Sequence, residues 1–486
     1  VIMHLRKLLN NVDFISIKGN EDININNIDF NSKKINNNDL FVAIKGENFD
    51  GHIFIDDAFL NGAIAIVVSE LPAKLQKDKT YIIVKDTALC LPYLAKNFYK
   101  NISKDIQLIG VTGTNGKTSI VSLLYQLFTL MGEKSGMLST VQNKIGSLKI
   151  DSTHTTPDIL TIYRLLKKMV DEKCKYCFME VSSHALDQYR VKGLNFDIAI
   201  FSNLTHDHLD YHKKFSIYRD VKKSFFDFLD KNAYALLNKD DKNAKKMGES
   251  TKANKLYYSL KTLADYTCKI IEYDFEGTLI KINNHDLWIK LVGDYNVYNV
   301  LAVFAVAKQL GFSEEKVLRF ISMLDSPEGR FQIVSSRNKI TGIVDYAHTP
   351  DALENILKVI NKINVKNFKI ITIIGCGGDR DKAKRPIMAK VACSLSTNVI
   401  FTNDNPRNED PKKIISQMMI GVSKSQSEKV IVIEDRLQAI KTACALVDRN
   451  DIILLAGKGH EKYQELKTEK IEFDDFKELK VLLKDN

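Results

Sequence analysis

The stretch Ile106-Gln107-Leu108-Ile109-Gly110-Val111-Thr112-Gly113-Thr114-Asn115-Gly116-Lys117-Thr118-Ser119 decides the fold. An apolar run delivers the chain to a glycine-rich turn, and Ser119 to Met131 then carries the apolar spacing of a helix. Such a turn between a strand and a helix is a phosphate cradle, because backbone N–H groups rotate toward phosphate oxygens and the helix presents its positive dipole end. Lys117 supplies a point charge and Thr118 a hydroxyl for Mg²⁺. Gly113, Thr114, Asn115, Gly116, Lys117, Thr118 and Ser119 are therefore read as a nucleoside triphosphate site. The strict pattern has glycine where Val111 stands, and here Gly110 comes one place early.

Working outward, residues up to about 100 read as a small α/β unit. Asp39–Ile44 runs into a glycine-containing loop, followed by an Ala-rich helix and the strand Ala63–Val68. After the phosphate loop come strands at Tyr176–Val181, Ile198–Phe201 and Ala233–Asn238, and helices near Tyr218–Leu229 and Asn299–Leu310, with a less regular insertion between about 240 and 290. The last third alternates most cleanly. Strands at Gly342–Asp345, Lys369–Gly375, Asn398–Thr402, Val430–Ile433 and Asp451–Ala456 are separated by helices starting near Asp351, Lys384, Pro411 and Arg436, which implies βαβ units and a largely parallel sheet. Its polar residues cluster in four loops that each follow the carboxyl end of a strand: Asp345, Gly375–Arg380, Asp404–Arg407 and Gly457–Glu461. Open α/β sheets bind ligands on that edge.

The chain has 486 residues, 44% hydrophobic and 27% charged, a composition that suits about three globular domains and no disorder. No apolar run approaches the length of a membrane span, and the first residues lack the apolar core of a signal peptide, so a cytoplasmic location without membrane insertion is expected. Seven scattered cysteines point to a reducing compartment, and Cys174-Lys175-Tyr176-Cys177 reads as core thiols. The net charge of +10 is spread as a lysine-rich surface without a basic arm or an aromatic-interleaved stripe, so nucleic acid is not the expected partner.

Two further stretches carry metal chemistry. Glu180 ends a strand just before Ser182-Ser183-His184, where a Mg²⁺-binding carboxylate beside the phosphate loop is expected. His206-Asp207-His208-Leu209-Asp210-Tyr211-His212 raises the alternative of a binuclear metallohydrolase. That chemistry needs a histidine where Tyr211 stands and would leave the phosphate loop idle, so His208 alone is read as a supplementary ligand.

Thr112–Thr118, Glu180-Val181-Ser182-Ser183-His184, Asn203-Leu204-Thr205-His206-Asp207-His208-Leu209-Asp210 and Asp345-Tyr346-Ala347-His348-Thr349-Pro350-Asp351 together resemble the Mur ligases of bacterial cell-wall synthesis, in the expected order over nearly the whole chain. The resemblance implies three α/β domains: residues 1–100 binding a UDP-sugar, 101–329 a central P-loop ATPase, and 330–486 a Rossmann-like amino-acid-binding unit. It implies an ATP-dependent ligase that activates a carboxylate as an acyl phosphate for attack by an amine. It also implies that Thr118 and Glu180 hold one Mg²⁺, that His208 helps hold a second, and that Lys222 is a carbamylated metal ligand, with the adjacent Lys223 as the alternative. Lys117, Lys222, His208 and Arg330 are then the catalytic set.

By the same resemblance Asn299, Arg330 and Asp345 contact the adenine nucleotide. Thr155, Thr156, Ser182, Gln188 and Arg190 contact the muramoyl-peptide, and Ser32 contacts uridine. Here Ser32 sits in Asn31-Ser32-Lys33, where the family carries Asp-Ser-Arg. Members that add meso-diaminopimelate carry Asp-Asn-Pro-Arg, intact here as Asp404, Asn405, Pro406 and Arg407. Arg407 with Arg380 would bind the second carboxylate of that amino acid through charge-assisted forks, and Asp404 and Glu461, with Gly457 on the same loop, would take its ammonium. Lysine would leave Arg407 buried without a partner, which argues against a lysine-adding homologue. A folylpolyglutamate synthase shares the phosphate loop but should lack the first hundred or so residues and the Asp-Asn-Pro-Arg loop. The expected acceptor is UDP-N-acetylmuramoyl-L-alanyl-D-glutamate, and the expected state is a monomer.

Overall fold

The strand, turn and helix around the glycine loop form as Gln107–Thr112 and Lys117–Leu130 in the computed structural model, which describes residues 2–46, 49–152, 154–336 and 338–484. Gln107–Thr112 lies deep in an eleven-stranded sheet, between the parallel strands Tyr176–Glu180 and Ile198–Phe201. Ser135–Leu138 extends the parallel block on one side, and Tyr234–Asn238 and Asn254–Ser259 extend it on the other. Both faces of this block are covered, so its strands are apolar without alternation. Ile109 and Val111 pack with the helices Lys117–Leu130 and Asp294–Gln309, whereas Leu108 packs with Ile159–Asp171 and Phe215–Asp227 on the other face.

Gly110 belongs to this packing and not to the phosphate loop. A Cβ there would come within 2.6 Å of Phe225 Cζ and 2.7 Å of Phe196 Cε1, so only glycine lets the two rings seat on the strand.

The segment between 240 and 290 corrects the sequence expectation. It is not irregular: Asn254–Ser259, Tyr266–Asp274, Gly277–Ile282 and His285–Ile289 extend the central sheet, the last two through antiparallel hairpins. Their alternation is faint because much of one face is solvent-exposed, and of their apolar side chains Tyr258, Cys268, Ile280, Ile282 and Ile289 are the ones buried in the core. The following helix starts at Asp294, five residues before Asn299, after Gly293 at φ +96°.

A five-stranded sheet lies N-terminal to this, in the order Ser16–Lys18, Thr80–Ile83, Ala65–Val68, Leu40–Val42 and Ile28–Asp29, parallel except for its first pair. It is joined to the central unit by the ion pair Arg164–Asp29 at 2.7 Å and by stacking of Tyr99 on Tyr163. The C-terminal sheet has six strands in the order Gln332–Ser335, Thr341–Asp345, Ile452–Ala456, Ile370–Ile374, Asn398–Phe401 and Val430–Val432. All pairs are parallel except the first. Helices start at Pro350, Lys384, Pro411 and Arg436, where the pattern indicated. All seven cysteines are buried, Cys174 and Cys177 among them.

Candidate active site

The phosphate loop is shaped by close approach. Gly113 sits at φ +150°, and a Cβ on it would lie 2.0 Å from Ser202 Oγ, so the loop closes against the strand ending at Phe201 only with glycine there. Ser202 Oγ donates to Asn115 O at 2.6 Å, and Asn203 receives the Asn115 N–H on Oδ1 at 2.9 Å. Lys117 bends back over its own loop and donates to Gly113 O and Thr114 O, both at 2.9 Å. Burial lowers its pKa, with Glu180 and Asp207 opposing.

Beside the loop, Thr118 Oγ1 donates to Glu180 Oε2 at 3.0 Å, and both residues are buried. Glu180 is aimed by two partners that the sequence did not single out: Ser139 Oγ at 2.7 Å and Thr140 N at 2.8 Å, both donating to Oε1. Their only signal is their place after the strand Ser135–Leu138, next to the strand that carries Glu180. One hydroxyl and one fixed carboxylate beside a phosphate cradle fit Mg²⁺, whose remaining ligands are usually phosphate oxygens and water. Among the described residues no group of three or more His, Cys, Asp or Glu side chains forms a closed metal cage.

Lys222 is the buried member of the Lys222-Lys223 pair. It is 1% exposed and donates to Gly113 O at 2.8 Å, whereas Lys223 turns outward to Asp227 at 2.7 Å. Burial holds the Lys222 amine well below the ordinary lysine range, with Lys117 adding repulsion and Asp207 opposing. His208, at φ +54°, stands near His184 and Tyr218, and desolvation by the cleft walls pushes its imidazole down to about 3 against the pull of Asp207. His206 turns away to Asp381 at 3.6 Å, and His212 is buried among His184, Tyr211 and Tyr218.

The C-terminal unit completes the wall. Arg330 Nη2 donates to Thr118 Oγ1 at 3.2 Å, its guanidinium lies 4.7 Å from the centre of the Tyr346 ring, and its buried Nε has no hydrogen-bond partner among the described residues. Asn115 Nδ2 donates to Asp351 Oδ2 at 2.9 Å across the same gap. Between the units lies a cavity of about 660 Å³ whose walls include Asn115, Gly116, Ser119, Asn299, Arg330 and Asp345, the residues expected at a nucleotide. Asp345 accepts from Phe331 N at 2.8 Å, and burial lifts its carboxyl to about 6.

The structure brings together the expected acceptor residues of the central unit. Thr156 Oγ1 accepts from Ser182 N at 3.1 Å, and Arg190 donates to Thr156 O at 3.0 Å and to Gln188 Oε1 at 2.5 Å. Thr155 Oγ1 accepts from Thr140 Oγ1 at 3.0 Å, which ties this cluster to Glu180. Ser32 belongs to the separate N-terminal sheet, where its carbonyl accepts from Asn61.

On the C-terminal sheet edge the loops interlock. A Cβ on Gly378 would lie 1.8 Å from Pro406 O, so the Gly375–Arg380 and Asp404–Arg407 loops touch backbone to backbone. Asp404 and Asn405 are buried, and Gly457 packs on Asp404, whose Oδ2 would lie 2.6 Å from a Cβ there. Lys458, fully buried and unassigned from the sequence, donates to Asn405 Oδ1 at 3.1 Å and to Tyr463 O at 2.5 Å, and it pairs with Glu461 at 3.4 Å. Burial and the nearby Asp404 raise the pKa of Glu461.

One expectation is corrected here. Arg407 is not a guanidinium that only a substrate could satisfy: its Nε donates to Glu465 Oε2 at 3.1 Å and its Nη1 to Gly378 O at 2.8 Å. Lysine therefore does not leave it without a partner. Arg380 stands exposed on the neighbouring loop, and a Cβ on Gly377 would lie 3.9 Å from its Cγ and 3.0 Å from Arg407 Nη1, so the two arginines flank the same glycine.

A phosphate loop on a parallel central sheet, faced across a cavity by a second parallel sheet, defines a P-loop protein of the α/β class. The chain belongs to the Mur ligase family: residues 24–99 match the family's catalytic domain, 111–307 its middle domain and 329–459 its glutamate ligase domain. It is 48% identical over 482 residues to UDP-N-acetylmuramoyl-L-alanyl-D-glutamate–2,6-diaminopimelate ligase of Cytophaga hutchinsonii, with 99% of each chain covered. A solved structure of a ligase of that name aligns over 99% of both chains with TM-score 0.70 and 30% identity. MurF ligase from Thermotoga maritima, solved in complex with ADP, shares the fold with TM-score 0.62 at 19% identity over 89% of this chain and 94% of its own.

Proposed function

We propose that the chain is an ATP-dependent ligase that adds meso-2,6-diaminopimelate to the D-glutamate of UDP-N-acetylmuramoyl-L-alanyl-D-glutamate. The observation that carries this reading is the Asp404–Arg407 loop, seated on the sheet edge against Gly378 and facing Glu461, in a chain whose relative of that activity is 48% identical over its whole length. The division at 1–100, 101–329 and 330–486 then separates UDP-sugar, ATP and amino-acid binding.

In this reading the substrate carboxylate attacks the γ-phosphorus of ATP, which forms an acyl phosphate and releases ADP. The amine of the amino acid attacks the acyl carbon, and collapse of the tetrahedral intermediate expels phosphate and leaves the amide. Lys117 and Arg330 offset charge on the phosphoryl group in flight, a type of contribution worth roughly 10²–10³ in rate per donor. Thr118 and Glu180 would hold Mg²⁺, which would supply positive charge to offset that of the phosphates. Lys222, whose charged form burial disfavours, is suited to take up CO₂ and become an oxygen ligand, with His208 near it. Asn299 and Asp345 hold the nucleotide. Thr155, Thr156, Ser182, Gln188 and Arg190 hold the muramoyl-peptide, and Ser32 lies toward the uridine. Asp404 and Glu461 receive an ammonium, and Arg407 a carboxylate. A monomer in the reducing cytoplasm goes with this function. No helix among the described residues is long and apolar enough to cross a membrane.

Phosphate release with ATP, Mg²⁺ and the UDP-dipeptide, compared for meso-diaminopimelate, lysine and no amino acid, tests the proposal. Equal turnover with lysine sinks the amino-acid assignment, and turnover only with a folate acceptor sinks the pathway assignment.

A further inference from the structure

We infer that Glu465 is a positioning residue for amino-acid recognition, acting by fixing the plane of the Arg407 guanidinium. The inference deepens the function proposed above and rests on it.

Glu465 lies outside the four loops that the sequence marks. It ends the short strand Tyr463–Glu465, which pairs antiparallel with Lys470–Glu472. This hairpin is stitched to the Asp404–Arg407 loop by four hydrogen bonds. Gln464 Nε2 donates to Asp404 O at 3.1 Å and Glu465 N to Asn405 Oδ1 at 2.9 Å, while Arg407 N donates to Glu465 O at 3.0 Å and Arg407 Nε to Glu465 Oε2 at 3.1 Å. Residue 465 thus grips Arg407 at both backbone and side chain.

The grip matters because Arg407 has φ +51°, a left-handed conformation that a non-glycine residue keeps only when its surroundings impose it. It also matters because a guanidinium is planar. Once Nε is held by Glu465 and Nη1 by Gly378 O, the plane and its direction are set, and Nη2 is left with no hydrogen bond among the described residues. The end of the fork, Nη2 with the second hydrogen of Nη1, is then the edge open to a carboxylate, and such end-on forks carry geometric specificity. Glu465 also balances the charge of Arg407 while no amino acid is bound, so the free enzyme holds no unpaired guanidinium. Selection of an amino acid with a second carboxylate then comes from the bonds its carboxylate gains at a pre-aimed edge.

Steady-state kinetics with meso-diaminopimelate, ATP and the UDP-dipeptide each varied in turn tests this in the wild-type chain, E465A, E465Q, R407A and the double variant. E465A is expected to raise KM for the amino acid by about tenfold, equivalent to one lost hydrogen bond to a charged group, and to leave KM for ATP unchanged. E465Q keeps an acceptor oxygen and should recover most of the loss. In the R407A background the second change should add nothing, because the residue through which Glu465 acts is gone. A lower or unchanged amino-acid KM in E465A, a parallel rise in KM for ATP, or additive effects in the double variant would each overturn the inference. If R407A itself leaves the amino-acid KM unchanged, the site reading beneath it falls instead.

Discussion

Lys117 and Lys222 donate to one and the same carbonyl oxygen, Gly113 O, at 2.9 and 2.8 Å. Two buried amines converging on one acceptor cannot both stay charged at ordinary cost: burial lowers both, and Lys117 lowers Lys222 further. For Lys222 the folded value lies well below the unfolded 10.5, so between the two the unfolded chain binds more protons and stability rises with pH. Lys222→Met is expected to raise the melting temperature in CO₂-free buffer at neutral pH and to flatten that pH dependence, while phosphate release falls by about 10² or more. A destabilised variant with full activity would show that Lys222 is an ordinary structural lysine.

Arg436 and Asp475 form an ion pair in which both side chains are fully buried, with Nε and Nη2 donating to the two carboxylate oxygens at 2.7 and 2.6 Å. The same guanidinium donates to Asn403 O and Ala456 O, the residues before Asp404 and Gly457. Asp475→Ala leaves a buried charge uncompensated and should cost about 3–5 kcal/mol in urea unfolding. A loss within the scatter of surface mutations would mean that water reaches the pair.

Asp345 is lifted to about 6 by burial, above its unfolded 3.8, so the folded state holds this proton more tightly. Its contribution is most favourable below about pH 4 and is lost as pH rises through about 6. Asp345→Asn keeps an acceptor for Phe331 N. It is expected to add up to about 3 kcal/mol above pH 6, from about two units at roughly 1.4 kcal/mol each, with little change near pH 4. Its KM for ATP should rise. Equal gains at both pH values would remove the titration as the cause.

Gly378→Ala tests the contact between loops. The added methyl would meet Pro406 O at 1.8 Å, and the two loops must part to admit it. The amino-acid KM should rise several-fold while nucleotide binding, measured by calorimetry with ADP, stays as in the wild type. Weakened ADP binding would show instead that the disturbance spreads through the whole C-terminal sheet.

Much of the site is legible because its parts are contiguous in the chain. A phosphate cradle needs glycine, lysine and threonine at fixed local offsets, and the strand-end loops put polar residues where an apolar run stops, so Gly113–Thr118, Glu180 and Asp404–Arg407 can be read without a structure. The half-exposed hairpins between Tyr266 and Ile289 were missed because sheet edges carry too little apolar periodicity to register.

Residue type over a short span was enough to read the phosphate loop, the family, and the strands and helices of the parallel blocks, but not the hairpins after Ser259. Tertiary structure alone decided which of Lys222 and Lys223 turns inward, that Gly110 serves Phe196 and Phe225 and not a phosphate, and that Arg407 is already held by Glu465. Arg407 and Glu465 lie 58 residues apart and Arg436 and Asp475 lie 39 apart. At such separations no local backbone requirement links the two residue types. Only the packing of one sheet edge brings the charges within hydrogen-bonding distance, and for Arg436 and Asp475, fully buried, pairing is then obligatory.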